Sequence, residues 1–226
     1  MRISGLSHAN GIFFIGPTQI AEVDGSVIKK PVKKSTWWQL RLLIKAWRSL
    51  SIPVQLAVAF PTGALLGAAV WYQEWFWLHA ALLYLASFHF WFPVQLKRYH
   101  GAEHMAFTIR RQKLEKESWM EADIRNAGCS TAAAVTGCFF LMGMLPFHGF
   151  DFHGVIITAA ALSAAFITEV LRRRFPERLA LITRLSGRLQ QACTTAMPDR
   201  LMVSLAVRSL EELIKHEKTP VSVKTR

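Results

Sequence analysis

Three ionisable side chains lie within one short segment, His100-Gly101-Ala102-Glu103-His104. On a helix, residues four positions apart share a face, so His100 and His104 can present both imidazoles to one metal ion. Glu103 lies beside them and can reach a water molecule at the same place. This H-x-x-E-H order inverts the H-E-x-x-H signature of zinc hydrolases, in which two His bind the metal and Glu is the general base. The segment predicts a site for Zn²⁺ or another divalent transition metal, with Glu103 catalytic. The alternative is a polar segment beside a membrane that carries two interfacial histidines.

A zinc site needs a third protein ligand, and the sequence offers two main candidates. Glu169 lies near the end of the last apolar segment, where an ionisable group is costly unless it has a partner. Pairing with Arg172 or Arg173 is its alternative role. Cys129 begins another apolar segment, and a thiolate is a good zinc ligand; a small buried cysteine is the alternative. Asp123 is a weaker candidate.

The remaining histidines are weaker candidates for metal binding. His89 precedes His100 by three helical turns, which separates them by about 16 Å along a straight helix, too far for one shared ion. Its expected role is core packing. His148, Asp151 and His153 lie close together in the sequence and could form a second metal site, although a loop gives them no fixed geometry.

Four apolar segments must position these residues. The chain is 52% hydrophobic, and each segment is roughly 18–21 residues long without a Lys or Arg, the length of a helix that crosses a bilayer. The alternative is a soluble bundle of apolar helices. Pro53 and Pro61 make the first segment a candidate for a kinked or re-entrant helix. The predicted spans are Ile52–Trp71, Trp75–Val94, Cys129–Phe147 and Gly154–Leu171.

The positive charge predicts the orientation of the spans. All Lys and Arg of this basic chain, whose formal net charge is +12, lie outside the four segments. Because basic loops stay in the cytoplasm, both termini and the loop 95–128 are predicted to face the cytoplasm from the inner (cytoplasmic) membrane. The basic residues follow the membrane boundary, which favours lipid head groups over nucleic acid. Expected partners are the lipid bilayer and either a membrane protein or a second copy of the chain.

The predicted fold is mainly α, a polytopic membrane protein with four transmembrane helices. A small N-terminal β-hairpin turns at Asp24-Gly25. The predicted domains are 1–50, with the β element and an amphipathic helix; 51–174, the membrane domain with loop 95–128; and 175–226, with cytoplasmic helices and a tail. The expected elements are strands Ile12–Ile15, Thr18–Val23 and Ser26–Val32, helices 36–50, 177–193 and 199–216, and a disordered tail from Glu217.

The helix at 36–50 carries Trp and Leu on one side and Arg and Lys on the other. Such a helix could lie in the anionic inner interface of a membrane. Packing on its own domain is the alternative.

Tyr99-His100-Gly101-Ala102-Glu103-His104 resembles the Y-H-G-A-E-H signature of the YqhQ-like family of bacterial membrane proteins. That resemblance implies a predicted metal-dependent enzyme of unknown function. The chain departs from the family pattern at Asn10, Ile15, Met105 and Ser204, which implies a divergent or inactive member. Further similar motifs are Gly11 with Gly16-Pro17, Cys129-Ser130-Thr131, Glu169 followed by Arg172 or Arg173, and Leu189-Gln190 with Thr194-Thr195 and Pro198-Asp199.

Two functional hypotheses follow. The first is a membrane-embedded metal-dependent hydrolase, zinc being the expected metal, that acts at the cytoplasmic interface. The second is a non-enzymatic membrane scaffold or complex subunit with a structural or vestigial metal site. A transporter is disfavoured because the spans contain few ionisable groups. The sequence does not select a substrate.

Overall fold

The computed structural model describes residues 1, 3–126, 129, 131–149, 154–175 and 177–218. It contains two compact units, each assembled from separated stretches of the chain. The first comprises Met1–Leu50, Pro93–Arg125 and Thr195–Arg226, and the second comprises Ser51–Phe92 and Asn126–Thr194. The three consecutive domains expected from the sequence stay a prediction.

The N-terminal β element of the first unit is a four-stranded antiparallel sheet. Its strands are β1 Ser4–His8, β2 Gly11–Ile15, β3 Gln19–Asp24 and β4 Val27–Lys33, and they pair in this order. The predicted hairpin is confirmed as β3 and β4, and Gly25 adopts a φ of 60°, which glycine accepts without steric cost. The sequence did not predict β1, because its Ser- and Gly-containing segment lacks a β-branched or aromatic pattern.

Helices account for most of the remaining described residues. They are α1 Trp38–Ser49, α2 Ile52–Tyr72, α3 Trp75–Ser87, α4 Val94–Gln112, α5 Thr131–Met144, α6 Gly154–Arg174, α7 Ala180–Leu189 and α8 Arg200–Lys218.

The first unit packs α4 and α8 against the sheet. Ile12 and Phe14 from β2 meet Met105 of α4 and Leu210 of α8 in one buried apolar cluster. Burying side chains of this size stabilises a fold by about 1.5–3 kcal/mol each. The predicted start of α8 is confirmed, because the Asp199 carboxylate accepts a hydrogen bond of 2.7 Å from the Met202 N–H.

The far end of α8 holds the turn between β2 and β3. The Glu217 carboxylate accepts hydrogen bonds from the N–H groups of Thr18 at 2.8 Å and Gln19 at 2.7 Å. Burial opposes ionisation of Glu217, but these hydrogen bonds outweigh it and lower the pKa of its carboxyl. The prediction that disorder begins at Glu217 is wrong for Glu217 and Lys218; residues 219–226 lie outside the described residues.

The second unit contains three helical segments that are long and apolar enough to cross a membrane, counted over the described residues: Ile52–Tyr72, Thr131–His148 and Gly154–Arg172. This length and composition are consistent with a membrane protein. The α2 helix continues through Pro61, so its proline does not end the segment.

The second predicted span is not shown as a single helix. The α3 helix has 13 residues, or about 20 Å, against a hydrocarbon core of about 30 Å. A 3-10 turn follows at Phe88–Phe90, and α4 begins separately at Val94 after Pro93. The chain from this segment into loop 95–128 is therefore not one continuous helix, since a proline disfavours helical structure in the residue before it. Among the described residues three helices could therefore span a membrane, and the predicted set of four spans is not shown.

Candidate metal centre

The α4 helix brings His100, Glu103 and His104 together. It begins after Pro93, whose fixed φ suits a helix start, and ends where Lys113 adopts a left-handed φ of 54°. As the four-residue spacing predicts, the two imidazole rings are neighbours, with their centroids 4.4 Å apart. All three side chains are buried.

His104 has the hydrogen-bonding pattern of a metal ligand. Its Nδ1 lies 2.6 Å from the backbone carbonyl oxygen of Ile124, and because that oxygen only accepts, Nδ1 carries the proton. The lone pair is therefore on Nε2, which is buried and has no hydrogen-bond partner in the described part of the chain. Metal-ligating histidines donate their second ring N–H to such a carbonyl. An unsatisfied buried acceptor costs about 1–3 kcal/mol, so a ligand at Nε2 would remove a penalty.

A second hydrogen bond fixes the segment that orients His104. The Thr108 hydroxyl, one helical turn after His104, donates to the backbone carbonyl of Asp123 at 3.0 Å. The Asp123 carboxylate pairs with Arg125, and this hydrogen bond lowers the pKa of its carboxyl. Asp123 thus contributes through its backbone, whereas its carboxylate serves Arg125.

β1 positions Glu103. The Ser7 hydroxyl donates a hydrogen bond to Glu103 Oε2. Gly5 lies on the same strand, where a Cβ atom would overlap the Glu103 carboxylate. A side chain at position 5 would therefore displace the Glu103 carboxylate from its present position. The role of Glu103 as a general base stays a prediction.

The second unit holds Cys129 immediately before α5. Its buried Sγ lies 3.4 Å from the Thr131 N–H and 3.2 Å from the Thr131 hydroxyl. Both contacts place the sulfur at the N-terminal end of α5. The Thr131 hydroxyl in turn lies 3.3 Å from that of Thr194, which fixes this side of the cysteine.

Gln190 holds the segment that leads into Cys129. Its side-chain oxygen accepts from the Asn126 N–H at 2.8 Å, and its side-chain nitrogen donates to the Asn126 carbonyl at 3.1 Å. The sequence motif includes Gln190 and Thr194, but it did not predict that they hold the residues on either side of Cys129.

Glu169 forms the ion pair that was its alternative role. Both carboxylate oxygens accept from the Arg172 guanidinium at 2.8 Å, in a buried bidentate arrangement. Metal ligation by Glu169 stays a prediction, and its carboxylate is engaged by Arg172.

The remaining histidine candidates lie in the second unit. The ring of His89 packs against that of Phe92 at a tilt of 54°, with ring centroids 4.7 Å apart, as expected for a packing role. His148 Nε2 lies 3.1 Å from Nδ1 of the fully buried His79. Asp151 and His153, the partners expected for a second metal site, lie outside the described residues.

Sequence reasoning missed three contributors to the centre: Ser7, Gly5 and the carbonyl of Ile124. No spacing rule connects them to the motif, because Ser7 is 96 residues from Glu103 and Ile124 acts through its backbone.

Comparison of the chain with curated proteins and with solved structures gave no match. The YqhQ-like resemblance fits the family that does match, an uncharacterised family of bacterial type, although the name itself is not confirmed. The model of that family, which is described as "Protein of unknown function (DUF1385)", matches residues 5–216, and the chain therefore belongs to this family.

Proposed function

We propose that this protein is a metal-dependent hydrolase of the bacterial inner membrane, working at the cytoplasmic interface. The observation that carries the proposal is His104, with Nδ1 committed to the Ile124 carbonyl and a buried Nε2 that has no partner among the described residues. A histidine held in one tautomer with its lone pair unsatisfied is suited to a metal. His100, one turn away, supplies the second imidazole.

Cys129 is the third ligand that we propose. His100, His104 and Cys129 are all buried, and they could hold a metal ion. Imidazole and thiolate donors favour zinc among the divalent transition metals. Glu169 is the weaker candidate, because a metal would have to compete with the Arg172 guanidinium for its carboxylate.

The reaction proposed for this centre is hydrolysis. A bound metal would supply Lewis acidity at the histidines. Glu103 would take a proton from the attacking water and deliver it to the leaving group. The Ser7 hydroxyl bonds to Glu103 Oε2 and so limits the rotation of the carboxylate, and a general base acts more effectively when it is held in one position.

The membrane location is supported by composition. Three helical segments, found within the described ranges, have the length and hydropathy to cross a bilayer. The basic residues outside the apolar segments favour cytoplasmic termini by the positive-inside rule. The substrate class consistent with such a site is a peptide or a lipid-linked molecule near the inner surface.

A second candidate function is a non-enzymatic membrane scaffold or complex subunit. The buried ion pair between Glu169 and Arg172 supports it, since a carboxylate engaged in this way serves structure. In that function the histidines would form a structural site and Glu103 would have no catalytic role.

Elemental analysis of the detergent-purified protein tests the metal. We expect one transition metal per chain in the wild type and its loss in His100→Ala and His104→Ala. The matched control is His216→Ala on α8, where the imidazole is 46% exposed and pairs only loosely with Glu212 at 3.9 Å. Wild-type protein purified without chelators that contains no transition metal would refute the proposal.

Glu103→Gln separates the two functions. The amide keeps the shape of the side chain and can still contact Ser7, but it cannot accept a proton. If the protein is a hydrolase, the Glu103→Gln variant should keep its metal and lose hydrolysis of peptide and lipid-linked test substrates. If the wild type binds metal but hydrolyses none of them, and Glu103→Gln leaves complex formation intact, the scaffold function is supported instead.

A further inference from the structure

The α1 helix points its apolar side chains away from the unit that carries it. None of its residues is buried. Trp37, just before the helix, is 68% exposed and Leu43 is 59% exposed. The other exposed apolar residues on this side are Leu40, Ile44 and Trp47. A helix that packs on a soluble domain has the opposite arrangement, with its apolar side inward.

Polar contacts hold the inner side of α1. Lys45 bonds to Glu22 and, at 2.8 Å, to Asp24, both on β3. Ser49, four residues later on the same face, accepts a hydrogen bond of 3.0 Å from the Ala9 N–H. The sheet therefore fixes α1 through the charged and hydroxyl groups on the inner side of the helix, and the exposed apolar side faces away from the sheet.

Basic residues border the apolar side. Arg41 and Arg48 are exposed and seven residues apart, so they lie two turns from each other along one edge. Lys34 lies near the beginning of the helix, with Nζ 4.5 Å from the centre of the Trp38 ring. Apolar residues flanked by basic ones form the pattern that anionic membrane surfaces bind.

Chain connectivity indicates which surface is near. The α1 helix ends at Ser49, and α2, a segment with the length and composition of a membrane span, begins at Ile52. Three residues of extended chain reach about 10 Å. The end of α1 is therefore tethered beside the position where the chain enters the bilayer.

We propose that α1 lies in the anionic interface of the membrane, with Leu43 and its apolar neighbours among the acyl chains and with Arg41 and Arg48 at lipid phosphates. The helix anchors the sheet, and with it the strand that holds Glu103, to the bilayer surface. The inference rests on the membrane location proposed above for α2, and it does not depend on metal or catalysis.

Site-specific photo-crosslinking of the full-length protein in vesicles tests the inference. A benzoylphenylalanine replaces Leu43 on the outer side of α1, Leu42 on the side shared with Lys45 and Ser49, or Phe60 on α2, which is 78% exposed. The vesicles contain phosphatidylcholine with or without phosphatidylglycerol. We expect lipid adducts at positions 43 and 60 and few at position 42. Protein adducts at position 43, from a second copy or another chain, would overturn the proposal, as would equal lipid adducts at 42 and 43.

The arginines give an independent measurement. Each basic residue near an anionic surface strengthens binding roughly fivefold, so Arg41→Gln with Arg48→Gln should lower the lipid adducts at position 43 strongly in vesicles with phosphatidylglycerol. Arg208→Gln, at an exposed position on α8, is the matched control and should leave the yield unchanged. No decrease in the double variant would contradict the proposed lipid contact. An absence of lipid adducts at position 60 would instead refute the membrane location of α2 itself. Neither outcome would change the metal content found by elemental analysis.

Discussion

Gly101→Ala is the perturbation that most directly tests how the metal centre is built. Gly101 lies between the two histidine positions on α4, where glycine lowers helix stability by about 0.8–1.0 kcal/mol relative to alanine. By propensity alone, alanine should stabilise the helix. The structure predicts the opposite, because a Cβ atom at this position would overlap the backbone carbonyl oxygen of Ala196 and approach Pro198 Cδ to 3.3 Å.

The size of the effect follows from what must move. The atoms that meet the new methyl group belong to backbone and to a proline ring, so no side chain can rotate away. The Ala196 N–H also donates to the Lys97 carbonyl at 3.0 Å, and this hydrogen bond would be strained as the segment shifts. Overpacking costs about 1–3 kcal/mol and a weakened hydrogen bond up to about 1 kcal/mol. After the propensity gain is subtracted, we expect a net destabilisation of up to about 3 kcal/mol, with mid-range values giving about 1.6 kcal/mol.

Hydrogen exchange of α4 peptides, followed by mass spectrometry in detergent, measures this change locally. A loss of about 1.4 kcal/mol raises exchange from the open state about tenfold. Gly63→Ala is the matched control, since its Cβ would meet nothing within 4 Å among the described atoms, and it should leave exchange of α2 unchanged or slower. Slower exchange in α4 of the Gly101→Ala variant would refute this reasoning. It would show that the Ala196 carbonyl does not approach α4 closely enough to require glycine at position 101.

Two further predictions concern buried ionisable groups. Arg172→Met removes the guanidinium from a buried carboxylate and should destabilise the protein by about 3–5 kcal/mol, whereas adding Glu169→Leu should restore most of the lost stability. Thermal unfolding in detergent measures both changes, and a double variant as unstable as the single variant would contradict this prediction. Burial, with a smaller effect of the Lys45 charge, lowers the pKa of His8 from 6.5 to about 4, so the unfolded chain takes up this proton first. Stability should therefore be full above pH 6.5 and fall as the pH drops towards 4. His8→Leu should lose this dependence, while the control His216→Gln, at an exposed position, should keep it.

Hydropathy predicted the apolar segments better than their helical continuity. The pattern located α2, α5 and α6 because composition over about 20 residues is sufficient to identify a potential span. It failed at 75–94, where the composition stays apolar but the backbone breaks at Phe88–Phe90 and Pro93. The first strand was missed for the converse reason, since a Ser- and Gly-containing segment pairs with β2 through backbone groups that side-chain patterns do not describe.

The candidate site was predictable only as far as local geometry extends. A four-residue spacing is sufficient to place His100 and His104 together, because the helix itself determines that distance. The tautomer of His104 depends on the backbone carbonyl of Ile124, and the orientation of Glu103 depends on Ser7, which lies 96 residues earlier in the chain. Contacts of this kind follow from tertiary topology, which no spacing rule contains.

The polar motif near the end of α7 supports Cys129 over Glu169 as the third ligand. Gln190 and Thr194 lie at the two ends of a π-helical turn, a rare widening that is frequent at functional sites. Their side chains bond to Asn126 and Thr131, which precede and follow Cys129. Buried polar groups are costly when their hydrogen bonds are lost, so these contacts resist movement of the segment that carries the Cys129 thiol. The carboxylate of Glu169 is instead bonded to Arg172, which makes Cys129→Ser the substitution expected to weaken metal binding.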